Sequence, residues 1–214
     1  MKHQIKHRYT DAVLFECDVP EDVQASGMAT RYALEKAVKD GANLSGADLT
    51  GSNLTGSNLY CSNLTGSNLT GSNLTGSILY CSNLTGSNLT GSNLAGSNLY
   101  CSNLTGSNLT GSILRGAHLR GADLRGANLG AEEKLIGDRP VFMVGPIGTR
   151  CDYLTAYLTD KGIHLRAGCF FGDVDTFRAK LEETHGDSDY AAEYQAALAL
   201  IEKHAEIWTP KEEA

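Results

Sequence analysis

Three cysteines recur at intervals of twenty residues in the middle of the chain, and a tyrosine directly precedes each of them. An arginine takes the place of the tyrosine at the next step of this series. The residues are Tyr60, Tyr80, Tyr100 and Arg120, together with Cys61, Cys81 and Cys101. Thiolates are metal ligands and nucleophiles, and aromatic side chains are enriched where proteins bind one another. Each of these roles requires a fold that brings residues twenty positions apart together.

The elements that must position these residues are built from a repeat of five residues. From Ala42 to Ala131 the chain reads as eighteen units, and a leucine recurs in every unit from Leu44 to Leu129. Ala or Ser lies two positions before each leucine, and Asn most often lies directly before it. A period of five fits neither the period of an α-helix nor the alternation of a plain strand. It predicts one short extended side and one turn per unit, with four units closing a square coil.

The square coil determines which residues become neighbours. By strand alternation, the leucine and the small residue two positions before it point inward, and glycine at the unit boundary makes the corner. Coils stack at about 4.8 Å, so residues twenty apart lie above one another. We therefore expect a column of three phenol rings closed by the Arg120 guanidinium through a cation–π contact. A column of three thiols runs beside it.

The repeat resembles the pentapeptide-repeat family, whose motif is a small residue, Asp or Asn, Leu and two variable residues. Two stretches match the motif closely, Gly41-Ala-Asn-Leu-Ser-Gly-Ala-Asp-Leu49 and Arg120-Gly-Ala-Asp-Leu-Arg-Gly-Ala-Asn-Leu129. The resemblance covers residues 42–131 and implies a right-handed quadrilateral parallel β-helix of about 4.5 coils, in a mainly β protein. The family includes acidic rods that mimic DNA and protect DNA gyrase. Residues 42–130 carry only two acidic and three basic side chains, which disfavours that role here.

The tyrosine series predicts a stripe that binds a protein partner, because it places aromatic surface on a rod otherwise lined by hydroxyls and amides. The partner-binding residues of this hypothesis are Tyr60, Tyr80, Tyr100, Arg120, Cys61, Cys81 and Cys101. An alternative interpretation is inheritance from a duplicated twenty-residue segment. We expect no metal at the thiols, since no histidine or carboxylate accompanies them. We expect no disulfide either, since in-register parallel strands hold the Cβ vectors side by side.

Two threonine columns offer a different interpretation of the rod. They consist of Thr65, Thr85 and Thr105, and of Thr70, Thr90 and Thr110. Regular threonine arrays on β-solenoids resemble the surfaces of ice-binding proteins, so ice binding is an alternative function. Threonine is also typical of any uncharged β surface. Arg115, Arg120 and Arg125 fall on different sides of the last coils and form no basic patch; we expect them to meet acidic residues such as Glu132 and Glu133.

Residues 1–41 predict an N-terminal cap of one strand and one helix. The strand is expected at Ala12–Cys17, and Ser26 is the expected N-cap of a helix at about 28–39. His3 and His7 are expected to be solvated in a flexible or edge segment. A cap is needed because the open end of a stacked coil exposes unpaired strand edges.

Residues 132–214 predict an α+β domain with the order β-β-β-α-α. The expected strands are Pro140–Val144, Tyr153–Tyr157 and Ile163–Phe170, with a hairpin at Thr159–Gly162. Asp173 is expected to cap a helix that carries Val174, Phe177 and Leu181 on one side. A longer helix is expected at about 189–207, with Trp208 packing at its end. Its residues at helical spacing are Tyr190, Tyr194, Leu198, Ile201 and Ala205. The segment resembles an uncharacterised domain found in bacterial and phage-associated proteins. That resemblance implies no particular activity.

Catalytic residues are hard to find in this domain. Cys169 with His185, or alternatively Cys151 or His164, would be a nucleophile and a base, but no spacing supports the pairing. Gly145-Pro-Ile-Gly148 lacks the Gly-Lys-Ser/Thr of a phosphate-binding loop. We therefore predict that the protein is not an enzyme and uses no cofactor, with a ligand-binding or enzymatic C-terminal domain as the alternative.

Net charge, the length of apolar runs and the cysteine pattern restrict the classes of partner and the compartment that we expect. The net charge of −7 disfavours binding to nucleic acid, and no apolar run is long enough to cross a membrane. No signal peptide is visible at the N-terminus, and the six cysteines form no CxxC pair, which indicates reduced thiols in the cytoplasm. The first hypothesis is thus a cytoplasmic protein-interaction scaffold with an unidentified protein partner. The acidic last helix with Tyr190 and Tyr194 makes a homodimer a further hypothesis.

Overall fold

A computed structural model of the chain describes residues 1–120, 122–124, 126–130, 133–137, 139–149, 152–168 and 170–209. The chain divides into two compact units, Met1–Glu132 and Glu133–Ala214. The first unit contains the repeats and the segment that precedes them. The second unit contains one antiparallel sheet and two helices.

Parallel bridges between residues twenty apart build the first unit, from Asp48–Asn68 to Asn108–Asn128. Each bridge is held by backbone hydrogen bonds on both sides of the coil. The N–H of Leu79, for example, donates to the Asn98 carbonyl of the next coil at 2.8 Å, and the N–H of Ile78 donates to the Ser57 carbonyl of the preceding coil at 2.8 Å. Twenty residues therefore make one coil in this part of the chain.

Leucines fill the interior of the rod, as the period predicts. Every repeat leucine from Leu44 to Leu114 is at most 2% exposed, whereas Leu119 is only half-buried. In most units the serine two positions earlier is also buried. Several of these serine hydroxyls donate to the leucine carbonyl of the preceding unit, among them those of Ser82, Ser97 and Ser102. The outward residue between them is Asn in most units, so each side of the coil alternates inward and outward as a strand does.

The corners of the coil adopt the left-handed backbone conformation. Gly66 and Gly86 have φ of +63°, and other repeat glycines lie close to this value. The three cysteines stand at the same corner position with φ of 53°, 53° and 55°. Since a side chain at positive φ costs about 1–2 kcal/mol, the cysteines occupy corners that favour glycine.

The N-terminal segment forms two strands and two helices. β1 (Lys2–Lys6) pairs antiparallel with β2 (Val13–Asp18), and α1 (Glu21–Ala25) precedes α2 (Ala29–Lys39). The expected strand and second helix are present, while β1 and α1 were not expected. The predicted N-cap was wrong: Ser26 ends α1, where its hydroxyl donates to the Val23 carbonyl at 2.7 Å, so it is not free to start α2.

The N-terminal segment supplies hydrogen-bond partners that a preceding coil would supply. The N–H of Asp48 donates to the Lys6 carbonyl at 2.8 Å, and the N–H of Asn58 donates to Glu35 Oε1 at 2.9 Å. Arg31 of α2 donates to the Thr55 carbonyl at 2.7 Å and to the Gly56 carbonyl at 3.0 Å. The backbone edge of the first coil is therefore partnered at these positions.

His7 and Arg8 join this contact. His7 forms an antiparallel bridge with Ala47, and its ring fills the space beside Gly46, where a Cβ atom would lie 2.3 Å from its Nε2. Arg8 donates its N–H to the Gly46 carbonyl at 2.8 Å and its guanidinium to the Gly66 carbonyl at 3.1 Å. His3 lies in β1, with Nε2 3.2 Å from the Thr30 hydroxyl. The expectation that both histidines are merely solvated was wrong, since each contacts a neighbouring element.

The last strand of the first unit is β3 (Asn128–Gly130), and the second unit begins with β4 (Glu133–Lys134). Its main sheet runs in the order β5 (Val141–Ile147), β6 (Asp152–Thr159), β7 (Gly162–Ala167) and β8 (Phe170–Asp173), all antiparallel. The helices are α3 (Val174–His185) and α4 (Asp189–Trp208).

Within its described residues, the second unit has two strands more than the prediction: β4 at its start and a separate β8. The expected strand Ile163–Phe170 is two strands, β7 and β8, so the main sheet has four strands before the two helices. The hairpin is confirmed, because Thr159 pairs with Gly162. Gly168, with φ of 58°, makes the unexpected turn that separates β7 from β8.

Both helices pack on one face of this sheet. Leu154, Ala156 and Leu165 of the sheet form a buried cluster with residues of α3 and α4. The helix residues of the cluster are Phe177, Leu181, Ala191, Ala197, Leu198 and Ile201. The predicted cap of α3 is confirmed: the Asp173 carboxylate accepts the N–H of Thr176 at 2.7 Å. Tyr190 lies in the first turn of α4, as its helical spacing predicts, and its side chain is 47% exposed.

No helix within the described ranges combines the length and the apolar character that crossing a bilayer requires.

The leucine column yields a first prediction. Leu79→Ala, at a fully buried position, should lower the free energy of unfolding by about 2–5 kcal/mol, because it removes buried methyl groups and leaves a cavity. Ile78→Asn is the matched control: its side chain is 41% exposed, Asn occupies this position in most units, and the expected change is below about 0.5 kcal/mol. Urea denaturation followed by circular dichroism measures both. Equal losses for the two variants would mean that the leucines do not form the core.

The partnered edge of the first coil yields a second prediction. Arg31→Met should lower the free energy of unfolding by about 1–3 kcal/mol, because the Thr55 and Gly56 carbonyls lose a charged donor. Lys39→Met, an exposed position of the same helix, is the control and should change little. The same denaturation experiment applies, and an unchanged midpoint for Arg31→Met would show that α2 does not stabilise the first coil.

Candidate functional site: the tyrosine and cysteine columns

The tyrosine column consists of Tyr60, Tyr80 and Tyr100, which the register of twenty brings into one stacked row. The ring centroids of Tyr60 and Tyr80 lie 5.4 Å apart with an interplanar angle of 16°. Those of Tyr80 and Tyr100 lie 5.2 Å apart with an angle of 12°. Tyr60 is 53% exposed, and the other two rings are half-buried. The column therefore presents ring edges and hydroxyls to solvent while the ring faces contact one another.

The end of the column differs from the expectation. The ring that contacts Tyr100 is His118, at a centroid distance of 5.7 Å. The cation–π contacts within the described ranges involve Arg8, Arg139 and Arg166, and none joins Arg120 to Tyr100. Arg120 is exposed and its carbonyl accepts the N–H of Cys101 at 3.1 Å. His118 stands twenty residues after Asn98 in the outward series, so the signal for it was present in the sequence.

The cysteine column consists of Cys61, Cys81 and Cys101, one residue beyond each tyrosine. All three are free thiols and exposed. The N–H of Cys61 donates to the Tyr80 carbonyl at 2.9 Å, and that of Cys81 donates to the Tyr100 carbonyl at 2.9 Å. Cys61 and Cys81 are thus each hydrogen-bonded to the tyrosine that directly precedes the next cysteine. These hydrogen bonds hold the column in register.

The two columns influence each other electrostatically. Hydrogen bonding to the adjacent Cys61 thiol, followed by its charge, raises the pKa of Tyr60 above its ordinary value of 10.0. Repulsion from the Cys81 thiolate is the main cause that raises the pKa of Tyr80. The pKa of the Cys81 thiol is itself raised, first by partial loss of hydration and then by repulsion from Cys101 and Cys61. These phenols and the central thiol stay protonated at neutral pH.

The surface around the columns is neutral and its polar groups are largely paired. Asn side-chain oxygens accept both a backbone N–H and a threonine hydroxyl two residues later, as Asn83 does with Thr85 at 3.0 and 2.7 Å. Most hydroxyls of the two threonine columns donate in this way. The donors are Thr65, Thr85, Thr70, Thr90 and Thr110. The threonine hydroxyls of a surface for ice binding would therefore already donate their protons to neighbouring asparagine side chains.

One apolar residue beside the tyrosine column was missed by the sequence reasoning. Ile78 lies outward, 41% exposed, between Asn58 and Asn98 in the bridge series and two residues before Tyr80. The signal was its replacement of the usual Asn. Ile78 extends the apolar surface of this side of the rod beyond the rings.

The proposed catalytic residues do not form a described site. Cys151 and Cys169, like Arg125 and Glu132, lie outside the described residues. His164 Nε2 is 3.3 Å from Glu133 Oε1, and its Nδ1 is 3.4 Å from the Thr159 hydroxyl. That hydroxyl is buried and donates its proton to the Gly162 carbonyl at 2.9 Å. The trio closes a hairpin and offers no accessible nucleophile.

His185 is the last residue of α3, and the centroid of its ring lies 6.1 Å from that of Tyr190 and 6.2 Å from that of Tyr194, both in α4. It lines a cavity of about 130 Å³ with Phe170 and Lys180, smaller than the roughly 300–1,000 Å³ of small-molecule sites. A second cavity of about 380 Å³ is lined by charged residues such as Arg178 and Glu182 and by no thiol or histidine. No group of three or more His, Cys, Asp or Glu side chains that could hold a metal ion occurs within the described ranges.

A scan against protein families matches this part of the chain. The family model described as pentapeptide repeats matches residues 40–76, 77–116 and 102–130. The matched segments together span residues 40–130, less than half of the chain. They lie within the first unit. The matched residues carry both columns, and the match agrees with the parallel coils described above.

Among the similar solved structures, two are described as pentapeptide-repeat proteins. Rfr23 of the cyanobacterium Cyanothece 51142 is 42% identical over 38% of this chain and 55% of its own, with a TM-score of 0.38. A protein of the Arabidopsis thaliana thylakoid lumen is 30% identical over 40% of this chain and 63% of its own, with a TM-score of 0.29. QnrB1, a plasmid-mediated fluoroquinolone resistance protein, is 18% identical over 41% of this chain and 43% of its own, with a TM-score of 0.31.

The chain thus spans less than two thirds of each of these three structures. A search of the curated proteins finds no match to this chain.

The raised pKa values of Tyr60 and Tyr80 yield a third prediction. In an ultraviolet titration, the phenols should ionise at higher pH in the wild type than in Cys61→Gly/Cys81→Gly, which lacks the neighbouring thiolates. Because a raised pKa in the folded state favours the neutral phenol, the associated stability is present below the ordinary value of 10.0 and is lost as the pH rises past it. Cys17→Ala removes a buried thiol away from the column and is the control. Superimposable curves for all three proteins would contradict the coupling.

Proposed function

We propose that the pentapeptide-repeat rod is a non-enzymatic, cytoplasmic scaffold that binds a protein partner along the side bearing the tyrosine column. The rod of about 4.5 coils would be closed at one end by residues 1–41 and at the other by residues 132–214. Proteins of the pentapeptide-repeat family are generally interaction scaffolds. This general role leaves the surface and the partner to be identified.

The observation that carries the proposal is the stacked and partly exposed tyrosine row. Tyrosine is enriched among the residues that dominate binding energy in protein interfaces, because its ring buries large area at low entropic cost. The row is already ordered by ring contacts of 5.4 and 5.2 Å, so little side-chain entropy remains to be lost on binding. Ile78 adds apolar area to the same side.

Charge supports a protein partner over nucleic acid or a DNA-binding enzyme. A nucleic-acid backbone is held by clustered Lys and Arg, whereas residues 42–130 contain three arginines on different sides of the coil. A DNA mimic needs the opposite, a dense acidic surface, and this segment contains only Asp48 and Asp123 as acids. A neutral surface with an aromatic stripe fits a protein interface best.

The fourth prediction tests this surface. Tyr60→Thr/Tyr80→Thr/Tyr100→Thr should abolish capture of the partner by the tagged full-length chain, because threonine is the usual residue at this position and removes the rings without disturbing the coil. Each tyrosine that acts as a binding hot spot should contribute about 2 kcal/mol or more. Quantitative mass spectrometry of captured proteins compares this variant with the wild type.

Thr65→Ser/Thr85→Ser/Thr105→Ser is the matched control on another side of the rod and should retain the partner. A partner retained by the tyrosine variant but lost in His185→Ala/Lys180→Ala would overturn the proposal and place binding in the C-terminal unit.

A homodimer through α4 is a second proposal. Three apolar side chains of this helix are open to solvent: Tyr190 at 47%, Leu200 at 52% and Ile207 at 60%. Leu200 and Ile207 are seven residues apart and share one helix face. An exposed apolar face of this kind supports burial against a second copy of the chain.

A further inference from the structure

The cysteine column repeats a thiol at a fixed interval. Cys61, Cys81 and Cys101 have nearly the same φ, 53°, 53° and 55°, and the first two donate to the next coil with the same 2.9 Å hydrogen bond. Neighbouring coils are related by the strand spacing of about 4.8 Å, and the tyrosine rings beside them repeat at 5.4 and 5.2 Å. The backbone positions that carry adjacent thiols are therefore close to one strand spacing apart.

The backbone spacing would permit a disulfide, but in-register parallel strands hold the Cβ vectors side by side, which disfavours a disulfide and suits a bridging ion. A disulfide needs a sulfur–sulfur bond of about 2.05 Å and Cβ atoms about 3.8 Å apart. A thiolate–metal bond measures about 2.3 Å for the d¹⁰ ion Zn²⁺, so a linear sulfur–metal–sulfur unit spans about 4.6 Å. That span matches the spacing of the coils without moving the backbone.

The lack of histidine and carboxylate donors, from which the sequence predicted no metal, disfavours Zn²⁺ but leaves open an ion that prefers two thiolates. Soft thiolates without nitrogen or carboxylate donors favour Cu(I), and within the described ranges no three ligating side chains gather into one site. Zn²⁺ requires four ligands in structural sites, which two neighbouring thiols of a straight column do not provide. The site suits a monovalent ion with two opposed ligands, and the thiols are exposed and free to receive it.

We propose that adjacent thiols of the cysteine column bind one Cu(I) ion in linear, two-coordinate geometry, with Cys81 supplying one ligand and either Cys61 or Cys101 the other. Binding forms two copper–sulfur bonds and releases two protons to solvent, one from each thiol, without a change of oxidation state. The proposal does not depend on the tyrosine column binding a protein.

Cys81 is decisive because it alone has a thiol neighbour on both sides. Removing either end of the column leaves one adjacent pair, while removing Cys81 leaves two thiols separated by two coils. Glycine is a suitable replacement, since it occupies the same corner in other units with φ of about +63°. The variants should therefore fold as the wild type does, which circular dichroism checks.

The fifth prediction uses the full-length, reduced protein under anaerobic conditions, with the Cu(I) ion as probe and bicinchoninate as the competing chelator. Wild type, Cys61→Gly and Cys101→Gly should each withdraw one Cu(I) per chain and release two protons per ion. Cys81→Gly should bind at least about 100-fold more weakly, since even loss of an outer-shell group costs 10–100-fold in metal affinity. The Cys61→Gly/Cys81→Gly/Cys101→Gly variant measures the background from the other three cysteines.

Two results would overturn the proposal. One is Cys81→Gly binding Cu(I) as tightly as Cys61→Gly, which would show that adjacency in the column is irrelevant. The other is wild-type binding equal to the background of the triple variant. Zn²⁺ added in place of Cu(I) should bind no more tightly to the wild type than to the triple variant, and tighter binding would contradict two-coordinate geometry.

Discussion

The hydrogen-bond ladder between successive coils is the constraint on which the repeat unit depends. A single five-residue unit buries almost nothing, so the leucine column forms only when each coil donates N–H groups to one neighbour and accepts from the other. Leu79 and Ile78, adjacent in sequence, donate to opposite neighbours. At the first coil one neighbour is missing, and Lys6, Glu35 and Arg31 provide partners in its place. Side chains of α2 thus make the hydrogen bonds that the edge of a preceding coil would make.

The same ladder turns sequence interval into surface chemistry. Because the register is twenty, a substitution repeated at that interval becomes a continuous row, and a substitution that is not repeated stays an isolated feature. The tyrosine and cysteine columns belong to the first kind, and Ile78 belongs to the second. Asparagine and threonine, which satisfy one another along the remaining rows, leave these columns as the distinctive groups of the rod. The partner-binding proposal and the metal-binding proposal therefore both depend on substitutions that recur every twenty residues.

In the second unit, sequence reasoning was accurate where a local interaction decides the outcome. The Thr159–Gly162 turn and the Asp173 cap each depend on residues within three positions, and both are present. It failed where packing decides. The strand expected at Ile163–Phe170 is divided by a turn at Gly168. Tyr190 follows the helical spacing of the buried residues yet is 47% exposed, although Ala191 beside it belongs to the buried cluster.

The sequence by itself determined the period, the inward leucines, the corner glycines and the columns, because each coil repeats the same local conformations and contacts only its neighbours. Tertiary structure decided what lies at the irregular positions. That His118 contacts Tyr100 in place of Arg120 depends on side-chain orientation within the rod. That Arg31 and Glu35 reach Thr55 and Asn58 depends on the angles at which the N-terminal elements meet the first coil. No period encodes those angles, since they arise from side-chain packing between elements that share no repeat.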